Sequence, residues 1–225
     1  MTSLALILLG LAPLLAAGGS PGSIALPPPD RRGTVPLEHA LQSRRSVREF
    51  TNAPVPLATV AQLLWAAQGV TSGDGRRTAP SAGALYPLEL IVVAARVDGL
   101  EAGTYRYDPA SHSLRRTLAA VDGGALARAA GGQQFVAGAA AVIVIAGVEQ
   151  RTARKYGGRA ARYVAFEAGC AAENLLLEAV TLGVGSVVVG AFDDARVAAL
   201  LRLGRDETPL AILPIGWPRR GAIPR

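Results

Sequence analysis

Apolar residues recur at intervals of three and four positions in five stretches of the chain, and this spacing predicts five helices. The predicted helices run from near Pro36 to Arg44 and over residues 57–70, 121–130, 159–182 and 193–201. In the first helix, Arg44 shares a stripe that is otherwise apolar and consists of Leu37, Ala40 and Leu41. The fourth helix is apolar nearly all round, which is typical of a helix buried in a core or in a subunit interface.

Runs rich in β-branched and aromatic residues predict the strands that lie between these helices. The predicted strands cover residues 88–97, 105–118, 139–148, 184–189 and 210–216, and the second range is a hairpin that turns at Asp108 and Pro109. A loop is predicted at residues 71–79, where Gly, Asp, Arg and Thr cluster. Because helices and strands do not alternate one by one, the pattern predicts an α+β fold.

Composition excludes several classes of protein. The 225 residues are 50% hydrophobic, which is enough for one sizeable core and favours one domain. The net charge of +6 comes almost entirely from arginines that are spread along the chain without a long run, so nucleic acid is not an expected partner. The single cysteine, Cys170, and two isolated histidines, His39 and His112, offer neither a disulfide framework nor a metal-binding spacing.

The N-terminus has the pattern of a targeting segment. Leu4 to Ala17 form an uncharged apolar run of 14 residues that is followed by small residues and prolines. This length suits a signal peptide better than a membrane span, which needs about 20 residues. We therefore expect a signal peptide or short membrane anchor at residues 1–19, a Pro/Gly-rich linker at 20–34 and the folded domain at 35–225. The expected location is the periplasm or cell envelope, or the cytoplasm if the start of the chain is mis-assigned.

The segment "RRSVREF", residues 44–50, places three guanidinium groups and a hydroxyl within five positions. A cation at the end of a helix is stabilised by the helix dipole, and this accounts for Arg45. Arg44 lies on the apolar stripe, where a charged side chain needs a buried partner. A phosphate fits that requirement, because a guanidinium binds it with two parallel hydrogen bonds.

Three further segments can carry chemistry. In "TAPSAGALYP", residues 78–87, small residues let the backbone approach a flat ligand, although an ordinary loop before a strand has the same composition. The glycines of "LGVGSVVVGAF", residues 182–192, follow a helix and flank a strand, so they are not a dinucleotide-binding fingerprint, but Gly190 can present its amide to a ligand. Lys155 and Tyr156 are adjacent and are either a helix surface pair or a general acid and base beside a substrate.

Taken together and in this order, these segments resemble the nitroreductase family of FMN-dependent oxidoreductases, and most closely its SagB-type dehydrogenase branch. The resemblance covers residues 35–218 and rests on "RRSVREF", "PSAGALYPLEL", "GTYRYDP", "RYVAFEAGCAAENLLLEAVTLGVGS", "VVGAF" and "LPIGWP". It implies a mostly antiparallel central sheet flanked by helices. It also implies a homodimer with the long helix in its interface, hydride transfer through flavin N5 to or from a small organic or peptide-derived substrate, and NAD(P)H as a candidate electron donor.

The resemblance also implies a set of site residues. Arg44 and Ser46 would bind the phosphate and ribityl oxygens of FMN, and Arg48 would lie near the pyrimidine edge of the flavin. The Gly190 amide would lie near N5, and Lys155 and Tyr156 would be the catalytic pair that assists proton removal. The full set implied to bind the cofactor is Arg44, Arg45, Ser46, Arg48, Pro80, Ser81, Ala82, Gly83, Val189, Gly190, Ala191, Arg220 and Arg225.

Two positions depart from common patterns of the family. Ala84 stands where many nitroreductases have an Asn that contacts the flavin, and Cys170 stands where the SagB-type branch often has His. Alanine at position 84 is common in the SagB-type branch, and the Cys170 change bears on the role of that histidine and not on FMN binding. The alternative function is a non-catalytic flavin-binding or flavin-scavenging protein of the cell envelope. The substrate does not follow from the spacing of these residues.

Overall fold

The computed structural model describes residues 22–221. The predicted signal peptide or anchor, the first two residues of the predicted linker, and Arg225 lie outside these residues. Along the part of the chain that is described, no helix combines the length and the apolar character needed to cross a bilayer.

The fold is built on a seven-stranded antiparallel sheet with the strand order β1-β6-β5-β3-β7-β9-β8, while β2 and β4 form a separate parallel pair. The strands are β1 (Ser23–Ala25), β2 (Val55–Pro56), β3 (Leu88–Ala94), β4 (Val97–Asp98), β5 (Gly103–Asp108), β6 (Ser113–Leu118), β7 (Ala141–Gly147), β8 (Gly185–Ser186) and β9 (Thr208–Gly216). The helices are α1 (Leu37–Ser43), α2 (Leu57–Gln68), α3 (Gly123–Ala129), α4 (Gln134–Gly138), α5 (Glu149–Tyr156), α6 (Ala160–Thr181) and α7 (Asp194–Leu201).

Strand β7 is the centre of the core, and all seven of its residues are buried between β3 and β9. Successive side chains of a strand point to opposite faces, so β7 supplies both layers of the core. Ile143 and Ile145 pack with the buried faces of α2 and α6 on one side of the sheet. Val142 and Val144 pack with residues of α3 and α7 on the other side. The chain therefore folds into three layers, with helices on both faces of the sheet.

The predicted α+β succession is confirmed, with boundaries that differ for local reasons. Strand β3 ends at Ala94, earlier than predicted, because the next two amides, of Ala95 and Arg96, both donate to the Ala140 carbonyl (3.1 and 2.8 Å). The strand predicted at 184–189 is reduced to β8, and Val189 rejoins the sheet through mutual backbone bonds with Ile212 (2.9 and 3.0 Å). Helices α4 and α5 are not among the predicted helices, because α4 has only five residues and α5, EQRTARKY, has too few apolar residues to form a stripe.

Helix α6 spans 22 residues, which corresponds to about 33 Å, and runs across the sheet with one buried and one exposed face. The buried face packs on the core through Val164, Ala168, Ala171, Leu175 and Ala179. The opposite face carries Ala165, Phe166, Gly169, Cys170 and Glu173, all of which are exposed in the single chain. Phe166 is 63% exposed, so the described chain does not cover this apolar face.

A close approach between Val47 and Gly185 attaches the "RRSVREF" segment to the edge of the sheet. The Val47 amide donates to the Ser186 carbonyl (2.9 Å), which places the Val47 side chain over Gly185. A Cβ added at Gly185 would lie 2.6 Å from Val47 Cγ1, closer than any relaxed contact. Glycine at 185 is therefore what allows the basic segment to lie against β8.

We expect Gly185→Ala to lower the free energy of unfolding by about 1–3 kcal/mol, because the added methyl group overpacks the contact with Val47. Adding Val47→Gly removes all three obstructing atoms, Cγ1, Cβ and Cγ2 at 2.6, 2.8 and 3.2 Å, so the double variant is expected to be more stable than the sum of the two single effects. Urea unfolding measures both quantities. Gly138→Ala, where an added Cβ meets no atom within 4 Å, is the matched control. Additive effects of the two substitutions would contradict this contact.

Candidate functional site

The segment after α1 is held between β8 and the C-terminal residues. Backbone hydrogen bonds join the Val47 amide to Ser186 and the Arg219 amide to the Glu49 carbonyl (2.9 Å each). The segment therefore has a fixed course, with Ser46 and Arg48 exposed on either side of the buried Val47. Arg220 follows Arg219 directly and is exposed beside this segment.

The two arginines at the end of α1 have different partners. Arg44 Nε lies 3.3 Å from Glu173 Oε1 of α6, and the Arg44 side chain is 35% exposed. Arg45 Nη1 donates to the carbonyls of Gln42 and Arg44 (2.8 Å each), so Arg45 caps the C-terminal end of its own helix. This geometry favours the helix-end interpretation of Arg45 and leaves Arg44 as the cation that faces α6.

The apolar stripe of α1 is not buried within the single chain. Leu37 and Leu41 are 60% and 55% exposed, and only Ala40 packs inward. A buried partner for Arg44 was predicted because its stripe was expected to be buried. In one chain the stripe is exposed, so Arg44 does not need a buried partner there. The partner present is an exposed carboxylate, Glu173.

Arg48 and the Ala191 carbonyl both approach the N-terminal end of α4. The Arg48 guanidinium carbon is 5.9 Å from the centroid of the Phe135 ring at the start of α4. Two residues before Phe135, the Gln133 side chain donates to the carbonyls of Ala130 (2.7 Å) and Ala191 (3.2 Å). In the stretch 189–191, Gly190 and Ala191 are exposed, and a Cβ added at Gly190 would meet no atom within 4 Å. The backbone at 190 is therefore open to an approaching ligand, whereas Val189 is buried.

The loop from Pro80 to Tyr86 adopts an unusual backbone. Gly83, Ala84 and Tyr86 all have positive φ, of 65°, 55° and 45°, and such angles are costly for the two residues that are not glycine. The Ser81 hydroxyl accepts the Tyr86 amide (2.8 Å), and Arg151 donates to the Tyr86 carbonyl (3.1 Å). Surrounding hydrogen bonds thus fix a conformation that the loop would not adopt alone.

A buried carboxylate, Glu167 of α6, also holds this loop. Glu167 is 5% exposed, and its Oε1 accepts the Ala82 amide at 2.9 Å. Burial raises the pKa of Glu167, and the hydrogen bonds from Ala82 and Ser81 oppose part of that rise. Glu167 was not among the predicted site residues. The available signal was a charged residue between Val164 and Ala168 on the buried face of the helix.

Lys155 and Tyr156, at the end of α5, lie directly against the same loop. A Cβ added at Gly83 would be 3.0 Å from Lys155 Nζ and 3.0 Å from Tyr156 Oη. The Tyr156 ring also packs edge-on against Tyr163 of α6, with 5.0 Å between centroids. The absence of a side chain at position 83 therefore lets both polar groups reach the loop backbone.

Helix α6 connects the separate parts of the candidate site. Glu167 holds the loop that contacts Lys155 and Tyr156, and Glu173 holds Arg44. These two carboxylates are six residues apart, which corresponds to about 9 Å along a helix. Arg48 contacts Phe135 of α4, and Gln133 just before that helix binds the Ala191 carbonyl, so the start of α4 lies between Arg48 and this part of the chain.

Comparisons with known proteins identify the family of the chain. The model of the nitroreductase family matches residues 41–217. The chain belongs to the nitroreductase family. A protein of Methanocaldococcus jannaschii, named as an inferred nitroreductase, is 45% identical over 182 residues that cover 81% of this chain and 91% of that protein.

Solved structures of nitroreductase-like proteins share the fold. An inferred nitroreductase from Ralstonia eutropha JMP134 aligns with a TM-score of 0.77 at 34% identity and covers 93% of this chain and 96% of its own. An NADPH:FMN oxidoreductase from Vibrio harveyi, solved with NAD+, aligns with a TM-score of 0.59 at 23% identity, covering 81% of this chain and 68% of its own. The chain is accordingly an oxidoreductase of the nitroreductase family.

We expect Glu167→Gln to change how stability depends on pH. Because burial raises the pKa of Glu167 above its ordinary value of 4.5, the native state favours the protonated carboxyl. The stability that the protonated Glu167 carboxyl contributes is present at low pH and is lost as the pH rises through the pKa of the native state. Glutamine stays neutral and can still accept the Ala82 amide, so the variant should gain stability relative to the natural protein between pH 4 and 7. Thermal unfolding across this range measures the difference.

Glu173→Gln, an exposed carboxylate on the same helix, is the control for this measurement. A difference between Glu167→Gln and the natural protein that stays constant from pH 4 to 7 would show that burial does not perturb Glu167.

Proposed function

We propose that this nitroreductase-family protein is an FMN-dependent oxidoreductase of the SagB type. It would act as a homodimer and transfer hydride to or from a small organic or peptide-derived substrate. The observation that carries the proposal is the contact of Lys155 and Tyr156 with Gly83, since it joins two polar groups to the loop assigned to the flavin.

The residues present fit FMN. Arg44 and Ser46 offer a guanidinium and a hydroxyl on a fixed backbone, which are donors that suit a phosphate. Gly190 and the Gly83 loop expose backbone without an intervening side chain, as the approach of a flat ring requires. The fold neighbour from Vibrio harveyi is named as an NADPH:FMN oxidoreductase, which supports the same cofactor and NADPH as a donor. When bound, FMN would supply the hydride chemistry at N5.

The chain's own residues would supply orientation, charge and proton transfer. Arg48 would place a positive charge near the edge of the ring where negative charge develops on reduction. The Gly190 amide would donate a hydrogen bond toward N5. Lys155 and Tyr156 would hold or accept the proton that leaves the substrate as hydride moves, because both side chains reach the same loop.

A second copy of the chain would complete the site. The exposed face of α6, with Phe166 and Cys170, lies on a helix that contacts α1, whose Leu37 and Leu41 are also exposed. These side chains form an apolar surface that a partner subunit can cover. Burial of that surface would also desolvate the neighbourhood of Arg44 and strengthen its interaction with a phosphate.

We expect Arg44→Ala to weaken FMN binding by about tenfold to a hundredfold, the loss typical of one charge-assisted hydrogen bond. Arg45→Ala is the matched control, because Arg45 bonds carbonyls of its own helix end and should leave FMN affinity unchanged within about twofold. Flavin fluorescence titration gives both affinities. Equal affinities for the two variants and the natural protein would remove Arg44 from the site, and a protein that binds no FMN at all would overturn the proposed function.

We expect Lys155→Ala and Tyr156→Phe to lower kcat by about a hundredfold or more while FMN affinity stays unchanged, since general acid–base groups typically contribute that much. Turnover of NAD(P)H with a quinone or nitroaromatic acceptor is the measurement. Arg154→Ala, an exposed neighbour on α5, is the control. Unchanged turnover in both variants would exclude the pair from catalysis, and tight FMN binding without any turnover would favour a non-catalytic flavin-binding protein.

A further inference from the structure

A cleft opens where β3 and β5 separate. These strands are paired from Ala94↔Gly103 to Ile91↔Arg106, and no pairing continues beyond Ile91. The residues that follow on each strand, Leu88–Leu90 and Tyr107–Pro109, instead line a cavity of about 340 Å³. This size is at the lower end of the range for small-molecule sites.

Three arginines line the cleft, which is an unfavourable arrangement in the absence of an anion. Arg106 of β5 and Arg115 of β6 are directly opposite each other in the antiparallel ladder, and Arg77 enters from the loop before β3. Like charges at directly opposed positions destabilise a strand pair. Glu89 and Asp108 also line the cleft, so the charge left for a ligand depends on which arginines the carboxylates reach.

The nearby carboxylates account for only part of the arginine charge. Glu207 binds Arg106 through both oxygens (2.6 and 2.5 Å), and Glu89, which lines the cleft, pairs with Arg151 and lies 4.0 Å from Arg106 Nη1. The carboxylate of Asp108 accepts the Ala110 amide (3.0 Å) and the Ser111 hydroxyl (2.7 Å) in the hairpin turn. Within residues 22–221, no carboxylate oxygen lies within 4.0 Å of the Arg77 or Arg115 guanidinium.

Neutral groups hold Arg77 in place. Its Nη1 donates to the buried Gln68 Oε1 (3.0 Å), and its guanidinium carbon lies 4.5 Å from the centroid of the Tyr86 ring. Burial lowers the pKa of Arg77, which shows that its charge is partly desolvated, and the nearby Glu89 opposes the shift. A guanidinium has five N–H donors and remains charged in proteins, so Arg77 keeps donors for a ligand.

We propose that this cleft binds one anionic group of a small organic molecule, a carboxylate or a phosphate, through Arg77 and Arg115. The Arg106–Glu207 pair forms its fixed wall. The site is distinct from the residues assigned to FMN, but it reaches them through Tyr86, which stacks on Arg77 and belongs to the same loop as Gly83. An anion bound here would therefore be anchored close to the loop that contacts Lys155 and Tyr156.

Isothermal titration calorimetry of FMN-saturated protein with inorganic phosphate and with succinate, at constant ionic strength set by NaCl, tests the proposal. Saturation with FMN keeps both probes out of the site assigned to the flavin phosphate. We expect saturable binding of at least one probe. Arg77→Gln and Arg115→Gln should each weaken this binding by about tenfold or more. Arg115 is exposed, so its variant tests the site even if Arg77→Gln impairs folding.

Two controls make the result specific. Arg76→Gln changes the exposed neighbour that pairs with Asp74 and should leave probe affinity unchanged. Arg44→Ala should also leave probe affinity unchanged. If the natural protein binds no FMN, the titrations are repeated with the Arg44→Ala protein, so that failure of the proposed function does not obscure the result. If phosphate binds more tightly than succinate, the result favours a phosphorylated ligand. If succinate binds more tightly, the result favours a carboxylate ligand. Absence of saturable binding would overturn the proposal, and so would an equal loss of probe affinity in Arg76→Gln and Arg77→Gln.

Discussion

The hydrogen bond from the Ala82 amide to the buried Glu167 carboxylate is the interaction on which the candidate site depends. The Gly83 loop contains two non-glycine residues with positive φ, and such a backbone persists only where its surroundings impose it. Glu167 supplies that restraint from α6, because a buried carboxylate is stabilised only if donors reach it. The loop lies directly against Lys155 and Tyr156, so Glu167 indirectly fixes the backbone beside the two residues proposed to transfer a proton.

Helix α6 explains why one element can organise so much of the molecule. Its buried face is fixed against the central strand β7, which makes it a rigid support for both the loop and Arg44. Its other face is apolar and exposed, and the same holds for the leucines of the adjacent α1. The environment of Arg44 in one chain is consequently that of a surface ion pair. Only coverage by a second subunit would give it the low-dielectric surroundings in which an arginine binds phosphate strongly.

Features that depend on local sequence could be predicted. The unbroken apolar run of β7 identified a strand, and the Asp-Pro pair marked the β5–β6 turn. Features that depend on distant segments were missed. Glu167 and Ala82 are 85 positions apart, so the helix pattern alone could not show that this carboxylate has a backbone donor. The stripe containing Arg44 was recognised, but an apolar helical face looks the same whether it packs on its own core or on another chain.

The pairing of Arg44 with Glu173 means that this guanidinium always has a carboxylate within reach. Any anion that binds Arg44 has to replace Glu173, so the affinity reflects the difference between two ion pairs and not the full strength of one. An exposed ion pair contributes about 1 kcal/mol or less, so replacing Glu173 costs an incoming anion only a small part of what a desolvated phosphate contact provides. Glu173 thus acts as a weak internal competitor, which gives the guanidinium a partner again after the anion leaves.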